Sequence, residues 1–318
     1  MKAENARTND RNAPARSAVI LAGGDGTRLR TLTRMIAGDD RPKQFCRIVG
    51  GETLLDVTRR RAALKIASEN IFYSLTARHE RYYRPLVAGV SPDRLCVQPE
   101  NKGTAPAIIH SLHRVIRANP ESTVAFFPSD HYFSDDAAFM ERVETAFRTV
   151  ESDPGSIVLL GIEPDSAETS YGWIEPCDSL FGDVANSVTR VRRFWEKPDH
   201  ATATDLLRRG CLWNSFVMVG KASFLLELIR DRLPELSRIF HGASVTIGSR
   251  HETATMRALY AWIVETNFST EVLQRSPQHL FVLRVGDVAW SDWGEPERVI
   301  GTLNGLGVRP EWMLAQAA

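Results

Sequence analysis

The stretch Ala18-Val19-Ile20-Leu21-Ala22-Gly23-Gly24-Asp25-Gly26-Thr27-Arg28 runs an apolar segment straight into a glycine-rich loop. A short, continuous apolar run suits a strand buried on both faces. Glycines directly after it let the backbone turn tightly and approach a ligand, so that its N–H groups can surround phosphate oxygens. Arg28 adds a fixed charge and a two-pronged donor. The spacing is neither the Gly-Lys-Ser/Thr of a Walker A loop nor the Gly-x-Gly-x-x-Gly of dinucleotide binding. The glycines alone would also suit a plain strand-ending turn. What raises the segment above that is its continuation, Arg41-Pro42-Lys43-Gln44-Phe45, a second cation beside a rigid proline turn.

Outward from this loop, further apolar runs are Ile71–Leu75, Val124–Phe127, Ile157–Leu160, Trp213–Val219 and Phe281–Val285. Amphipathic stretches lie between them: Thr53–Ile66, Thr104–Ile116 with Thr104 as N-cap and Pro106 in the first turn, Ala137–Val150, Ala201–Arg208, Lys221–Arg230 and Glu252–Trp262. Strands alternating with helices predict an α/β fold with a doubly wound, mostly parallel, Rossmann-like sheet. Tyr171–Phe194 reads as strands joined by a polar loop, part of a small β-rich lobe at about 165–220. Residues 1–16 read as a disordered leader and 17–318 as a single domain.

The 318 residues include 39 basic and 39 acidic side chains, which argues against a global electrostatic footprint for nucleic acid or an anionic membrane. No apolar run approaches the ~20 residues that span a bilayer, and Met1–Arg16 lacks the apolar centre of a secretory signal. Cys46, Cys96, Cys177 and Cys211 form no C-x-x-C pair and suit reduced thiols, so the expected compartment is the cytoplasm. His110 and His113 have ligand spacing, but they fall in a helix, where they are expected to flank a surface stripe.

Leu21-Ala22-Gly23-Gly24-Asp25-Gly26-Thr27-Arg28-Leu29 followed by Pro42-Lys43-Gln44-Phe45 resembles the sugar-nucleotide pyrophosphorylases, and within them the mannose-1-phosphate guanylyltransferase branch. Further blocks resemble that family in its order: Gln98-Pro99-Glu100-Asn101-Lys102-Gly103-Thr104, Pro128-Ser129-Asp130-His131, Tyr171-Gly172-Trp173-Ile174, Phe194-Trp195-Glu196-Lys197-Pro198-Asp199, Trp213-Asn214-Ser215 and Trp290-Ser291-Asp292-Trp293-Gly294. Departures are Lys102-Gly103 in place of Arg-Asn, Phe216 in place of Gly after Trp-Asn-Ser, Glu295-Pro296 after Gly294, and a lost lysine in the segment Ser269–Leu273.

The resemblance implies a GT-A-like nucleotidyltransferase domain whose lobe faces the sugar. It implies GTP and mannose 1-phosphate as substrates, GDP-mannose and pyrophosphate as products, Mg²⁺ as cofactor and a homodimer as an admissible assembly, with no nucleic-acid or membrane partner. It assigns Arg28, Lys43 and Lys197 to catalysis, the first two on the triphosphate and Lys197 on the incoming phosphate. Leu21, Ala22, Gly23, Gly24, Gly26, Thr27, Glu100, Gly103 and Thr104 are assigned to the nucleotide, and Gly172, Glu196 and Asn214 to the sugar. Asp130 and Asp292 are assigned to the metal; each also stands in an apolar setting beside a turn, and two oxygen ligands plus phosphates and water suit octahedral Mg²⁺. Transfer to another base or hexose 1-phosphate, and a non-catalytic regulatory paralogue, are the alternatives.

Overall fold

The computed structural model describes residues 15–177 and 188–314. The polar loop expected between the strands of the lobe lies largely outside these residues, as does all of the expected leader up to residue 14. Eleven strands are formed among the described residues: β1 (Arg16–Leu21), β2 (Ile71–Thr76), β3 (Leu95–Gln98), β4 (Thr123–Pro128), β5 (Tyr132–Phe133), β6 (Ile157–Ile162), β7 (Gly172–Pro176), β8 (Thr189–Glu196), β9 (Leu212–Lys221), β10 (Leu280–Arg284) and β11 (Trp290–Ser291). The helices that matter for the site are α1 (Arg30–Ala37), α2 (Leu54–Ala62), α3 (Glu80–Tyr83), α4 (Thr104–Ala118), α5 (Asp136–Ser152), α6 (His200–Arg208), α7 (Ala222–Arg232), α8 (Pro234–Ser244), α9 (Glu252–Tyr260) and α10 (Pro296–Gly305).

Nine strands form one sheet in the order β3-β2-β1-β4-β9-β6-β10-β8-β7. The doubly wound sheet expected from the sequence is present. Parallel pairing holds from β3 through β2 and β1 to β4, and again between β6 and β10. Around β9 and at the β8–β7 edge the pairing is antiparallel. β7 also pairs with the start of β9 through Trp173↔Trp213 and Ile174↔Leu212. The strands β9, β6, β10, β8 and β7 therefore close a ring, so that the region read as a small β-rich lobe is continuous with the main sheet. β5 and β11 form a small antiparallel ladder beside it.

Alternation along the strands sends side chains to two cores. Ala18 and Ile20 join Phe139, Val143 and Phe147 of α5 on one face. Val19 joins Ile108, Ile109 and Leu112 of α4, with Leu225 and Ile229 of α7, on the other. A third, smaller cluster of Leu29, Leu32, Ile48, Trp293, Val299 and Leu303 fastens α1 and α10 together.

Three expectations are corrected. Arg16 does not belong to a leader: it begins β1, and its guanidinium is held by Glu144 and Glu151 at 2.6 and 2.7 Å. Thr104 is not the N-cap of α4: Gly103 holds that place at φ 85, and the Thr104 hydroxyl accepts the Phe268 N–H at 2.8 Å instead. His110 does not flank a surface stripe: it is fully buried beside Glu252 because its face of α4 packs on α8 and α9. α5 and α6 are capped by Asp135 and Asp199, each accepting a backbone N–H three residues on. Cys46, Cys96 and Cys211 are buried free thiols and Cys177 is a half-buried one. Among the described residues no helix is long and apolar enough to cross a membrane.

Candidate active site

The carboxyl ends of β1, β2, β3 and β4 open onto a cleft of about 450 Å³, the position where open α/β sheets present ligands. Leu21, Gly23 and Gly24 line it from the glycine loop, Gly103 and Thr104 from the start of α4, and Asp130 from the end of β4. Gly172, Glu196 and Asn214 line it from the closed ring, and Asp292 from the turn after β11. An adjoining recess of about 270 Å³ is lined by Gly26, Thr27, Arg28 and Lys43, and shares Asp130, His131 and Asp292 with the cleft. The two spaces meet at the pair of carboxylates.

Side chains prepare the glycine loop for an anion. Gln44 Nε2 donates to the carbonyls of Ala22 and Gly24 at 3.1 and 2.8 Å, and Thr76 Oγ1 donates to that of Gly23 at 2.9 Å. In a planar trans peptide the following N–H points opposite to the carbonyl. The N–H groups of Gly23 and Asp25 therefore point away from Gln44, and that of Gly24 away from Thr76. None of these has a protein acceptor among the described residues. A Cβ on Gly23 would lie 2.9 Å from both Gln98 Nε2 and Thr76 Oγ1, so this approach requires glycine.

Lys43 is buried, and three oxygens surround its ammonium. Its ammonium donates to the carbonyl of Asp292, to that of Trp293 at 2.9 Å, and lies 3.4 Å from Asp130 Oδ2. Asp292 Oδ1 accepts from Tyr171 OH at 2.7 Å, the Gly294 N–H at 2.8 Å and Arg298 Nη1 at 3.0 Å. Arg298 also pairs with Glu168 and lies over the Tyr171 ring at 4.5 Å. Asp292 Oδ2 receives no donor among the described residues. Burial, reinforced by Lys43, pushes His131 down to about 4 against the pull of Asp130 and Asp292. The ring is therefore neutral, and its Nδ1 accepts from Trp290 Nε1 at 3.3 Å. Burial raises the Glu196 carboxyl above its ordinary range, partly offset by Lys197, Asn267 and Ser269.

The donor set fits Mg²⁺. That ion is held by one or two carboxylates completed by phosphates and water, not by an all-protein cage. Asp130 and Asp292 face both spaces, one oxygen of Asp292 is open, and no group of three or more acidic, histidine or cysteine ligands gathers among the described residues.

Three assigned residues stand outside the lining. Ala22 is fully buried in the core, and only its carbonyl serves the loop. Glu100 is exposed and turned to Lys102 at 3.3 Å. Lys197 is exposed at the rim, its backbone at φ 47 and its N–H on the Tyr171 carbonyl at 3.2 Å. Arg28 reaches the recess but pairs with Glu295 at 2.9 Å.

Residues not singled out from the sequence complete the site. Gln98, buried, donates to Ser74 at 3.1 Å and accepts from Tyr260 at the same distance. Asn267 and Ser269 line the cleft from a segment zipped onto the α4 loop by Thr266 N to Lys102 O at 2.9 Å and Ala105 N to Thr266 O at 3.0 Å. Leu273, in the segment where the family lysine is lost, is buried in the core. Gln44 and Gln98 lay inside the quoted motifs and were legible there. Asn267 and Arg298 carried no local signal.

A family model for nucleotidyl transferases matches residues 17–303. The xanthan biosynthesis protein XanB of Xanthomonas campestris pv. campestris is 35% identical over 224 residues, 69% of this chain and 45% of that protein. Mannose-1-phosphate guanylyltransferase 2 of Escherichia coli O157:H7 is 31% identical over 234 residues, 70% of this chain and 46% of that one. The chain thus spans about half the length of these curated relatives. A crystal structure described as mannose-1-phosphate geranyltransferase from Thermus thermophilus superposes with a TM-score of 0.76 at 28% identity, covering 90% of this chain and 79% of the other. A UDP-glucose pyrophosphorylase complexed with UDP-glucose shares the fold at a TM-score of 0.55 and 14% identity, over 92% and 98%.

Proposed function

The chain belongs to the nucleotidyl transferase family, and we propose that it transfers the guanylyl group of GTP to mannose 1-phosphate, releasing pyrophosphate and forming GDP-mannose. The observation that carries this reading is the glycine loop, its carbonyls held by Gln44 and Thr76 and three of its N–H groups without an acceptor among the described residues, in one cleft with two carboxylates and the Asn214–Glu196 corner.

An oxygen of the sugar phosphate attacks the α-phosphorus in line, and the bond from that phosphorus to the β-phosphate bridging oxygen breaks. The nucleophile is already an anion, so no general base is needed, in keeping with a neutral, hydrogen-bonded His131 that holds position without taking a proton. Catalysis then rests on positioning two anions and offsetting their charge. The N–H groups of Gly23, Gly24 and Asp25 receive the triphosphate, with Gly26 and Thr27 beside its leaving end. Arg28, on leaving Glu295, and Lys43 neutralise the departing pyrophosphate. Lys197 meets the incoming phosphate from the rim, while Asn214, Glu196 and the Gly172 backbone hold the sugar. Asp130 and Asp292 would hold Mg²⁺, which supplies charge neutralisation on the phosphate oxygens. Free thiols and balanced charge support work in the cytoplasm.

Pyrophosphate release over a matrix of four nucleoside triphosphates and several hexose 1-phosphates with Mg²⁺ tests the reading. Turnover confined to GTP with mannose 1-phosphate is the expected result. Turnover with a different pair reassigns the substrates, and silence throughout with nucleotide-sugar binding intact would replace the enzyme by a sensor.

A further inference from the structure

We propose that Phe216 sets sugar selectivity, acting as an aromatic wall that excludes hexose 1-phosphates bulkier than a simple hexose. The proposal rests on the nucleotidyl-transfer reading above.

The local backbone is built to present this ring. Between β6 and β9 the register runs Gly161↔Asn214 and then Leu159↔Met218, so Ser215, Phe216 and Val217 together oppose Leu160. This is a bulge, a device that redirects a side chain beside a site. Ser215 fastens its base, donating to the Leu160 carbonyl at 2.6 Å and accepting the Val217 N–H at 3.2 Å. Phe216 stands at the apex with φ 60, a left-handed backbone that a bulky residue adopts only under constraint. Its N–H is held by Asn214 Oδ1 at 3.1 Å. Its neighbours Asn214, Ser215, Val217 and Met218 are all buried, whereas Phe216 is half-buried and lines the cleft.

Phe216 lines the same cleft as the sugar-facing residues while packing in part against the core. A Cβ placed on Gly172 would lie 3.1 Å from Glu196 Oε2 and 3.4 Å from Asn214 Cβ, so these three residues form one corner, and the Phe216 N–H holds the Asn214 side chain that belongs to it. Asn214 Oδ1 is occupied by the Phe216 N–H, which leaves its amide NH₂ as a donor, while Glu196 offers a carboxyl acceptor. A sugar in this corner meets a donor and an acceptor, with the Phe216 side chain lining the same cleft. The polar pair can bond many hydroxyl patterns; the ring restricts volume. Glycine is the residue that this backbone accommodates without strain, so phenylalanine there is retained against a local penalty, which points to use of its side chain.

Phe216→Gly keeps the bulge and removes the wall; Phe216→Ala is the companion variant should the first fail to fold. Both are compared with the wild type by kcat/KM for mannose 1-phosphate, glucose 1-phosphate and N-acetylglucosamine 1-phosphate with GTP, alongside thermal melting. The expected result is a rise of about tenfold or more in the preference for the N-acetylated sugar relative to mannose 1-phosphate, the scale at which a pocket reads a small group. An unchanged ratio with a lowered melting temperature would make Phe216 a packing residue and overturn the proposal while leaving the function intact. Wild-type protein that releases no pyrophosphate with any pair would overturn the function and this proposal together.

Discussion

Lys43 is held by two carbonyls and a carboxylate, so its charge is kept in place before any phosphate arrives. Preorganised charge of this kind is worth roughly 10²–10³ in rate. Lys43→Met, which keeps the aliphatic stem, is expected to lower turnover by about that factor while the circular dichroism of the sheet persists; near-normal pyrophosphate release by the folded variant would remove Lys43 from catalysis. Asp292→Ala should be as damaging, roughly 10²-fold or more by the same reasoning, and raising Mg²⁺ should not restore it. Recovery at high Mg²⁺ would show that the carboxylate sets affinity alone. Lys43, Asp130 and Asp292 could be expected at the cleft because each lies in a motif that resembles the family, and all three line it or its adjoining recess. Arg298 could not, since its role comes only from meeting Asp292, Glu168 and the Tyr171 ring in space. Glu100 and Lys197 carried a motif whose side chains the local backbone turns outward.

Two elements depend on contacts that their own sequences do not announce. Gly103 starts α4 at φ 85, and a Cβ there would stand 2.9 Å from the Thr266 carbonyl carbon. Gly103→Ala should therefore separate the loop from the 264–268 segment, destabilise the fold by about 1–3 kcal/mol and raise KM for the nucleotide more than it lowers kcat. Unchanged melting and KM would contradict this. At the other end of α4, Glu252 of α9 accepts from Arg114, from His110 at 3.3 Å and from the Gly248 N–H at 2.7 Å. Burial pushes this carboxyl up, but those donors outweigh it and take it from 4.5 to about 2. The folded form is the stronger acid, so the stabilisation is complete above pH 4.5 and is lost as pH falls towards 2. Glu252→Gln is expected to reduce stability at neutral pH by about 3 kcal/mol and to flatten this acid limb in urea titrations run at successive pH values. A limb unchanged in the variant would place the proton uptake elsewhere. The helices were readable from their apolar periodicity. The fit of α4 to α9 was not, because a buried His–Glu–Arg cluster looks in sequence like a solvated charged face.

Across the whole molecule, the parallel half of the sheet follows directly from short apolar runs alternating with helices. The antiparallel insertion of β9 does not, because apolar composition carries no strand direction. Closure of the ring β9-β6-β10-β8-β7 comes from the pairing of β7 with both β8 and β9, a non-local contact invisible to any local window. The Lys43–Asp292 contact joins residues 249 positions apart, and it has a consequence for timing. Chains leave the ribosome amino end first. When Val288 has emerged every strand of the main sheet is present, yet Trp290–Gly294 and α10 are still missing. Nascent chains arrested at increasing lengths should accordingly resist protease before GTP with Mg²⁺ adds any further protection, and simultaneous onset of both would contradict that order. A protein synthesised in this way acquires its architecture first and completes its charge-handling centre last, so an interrupted chain holds the glycine loop and Lys43 without the Asp292 turn that fastens them to the second carboxylate.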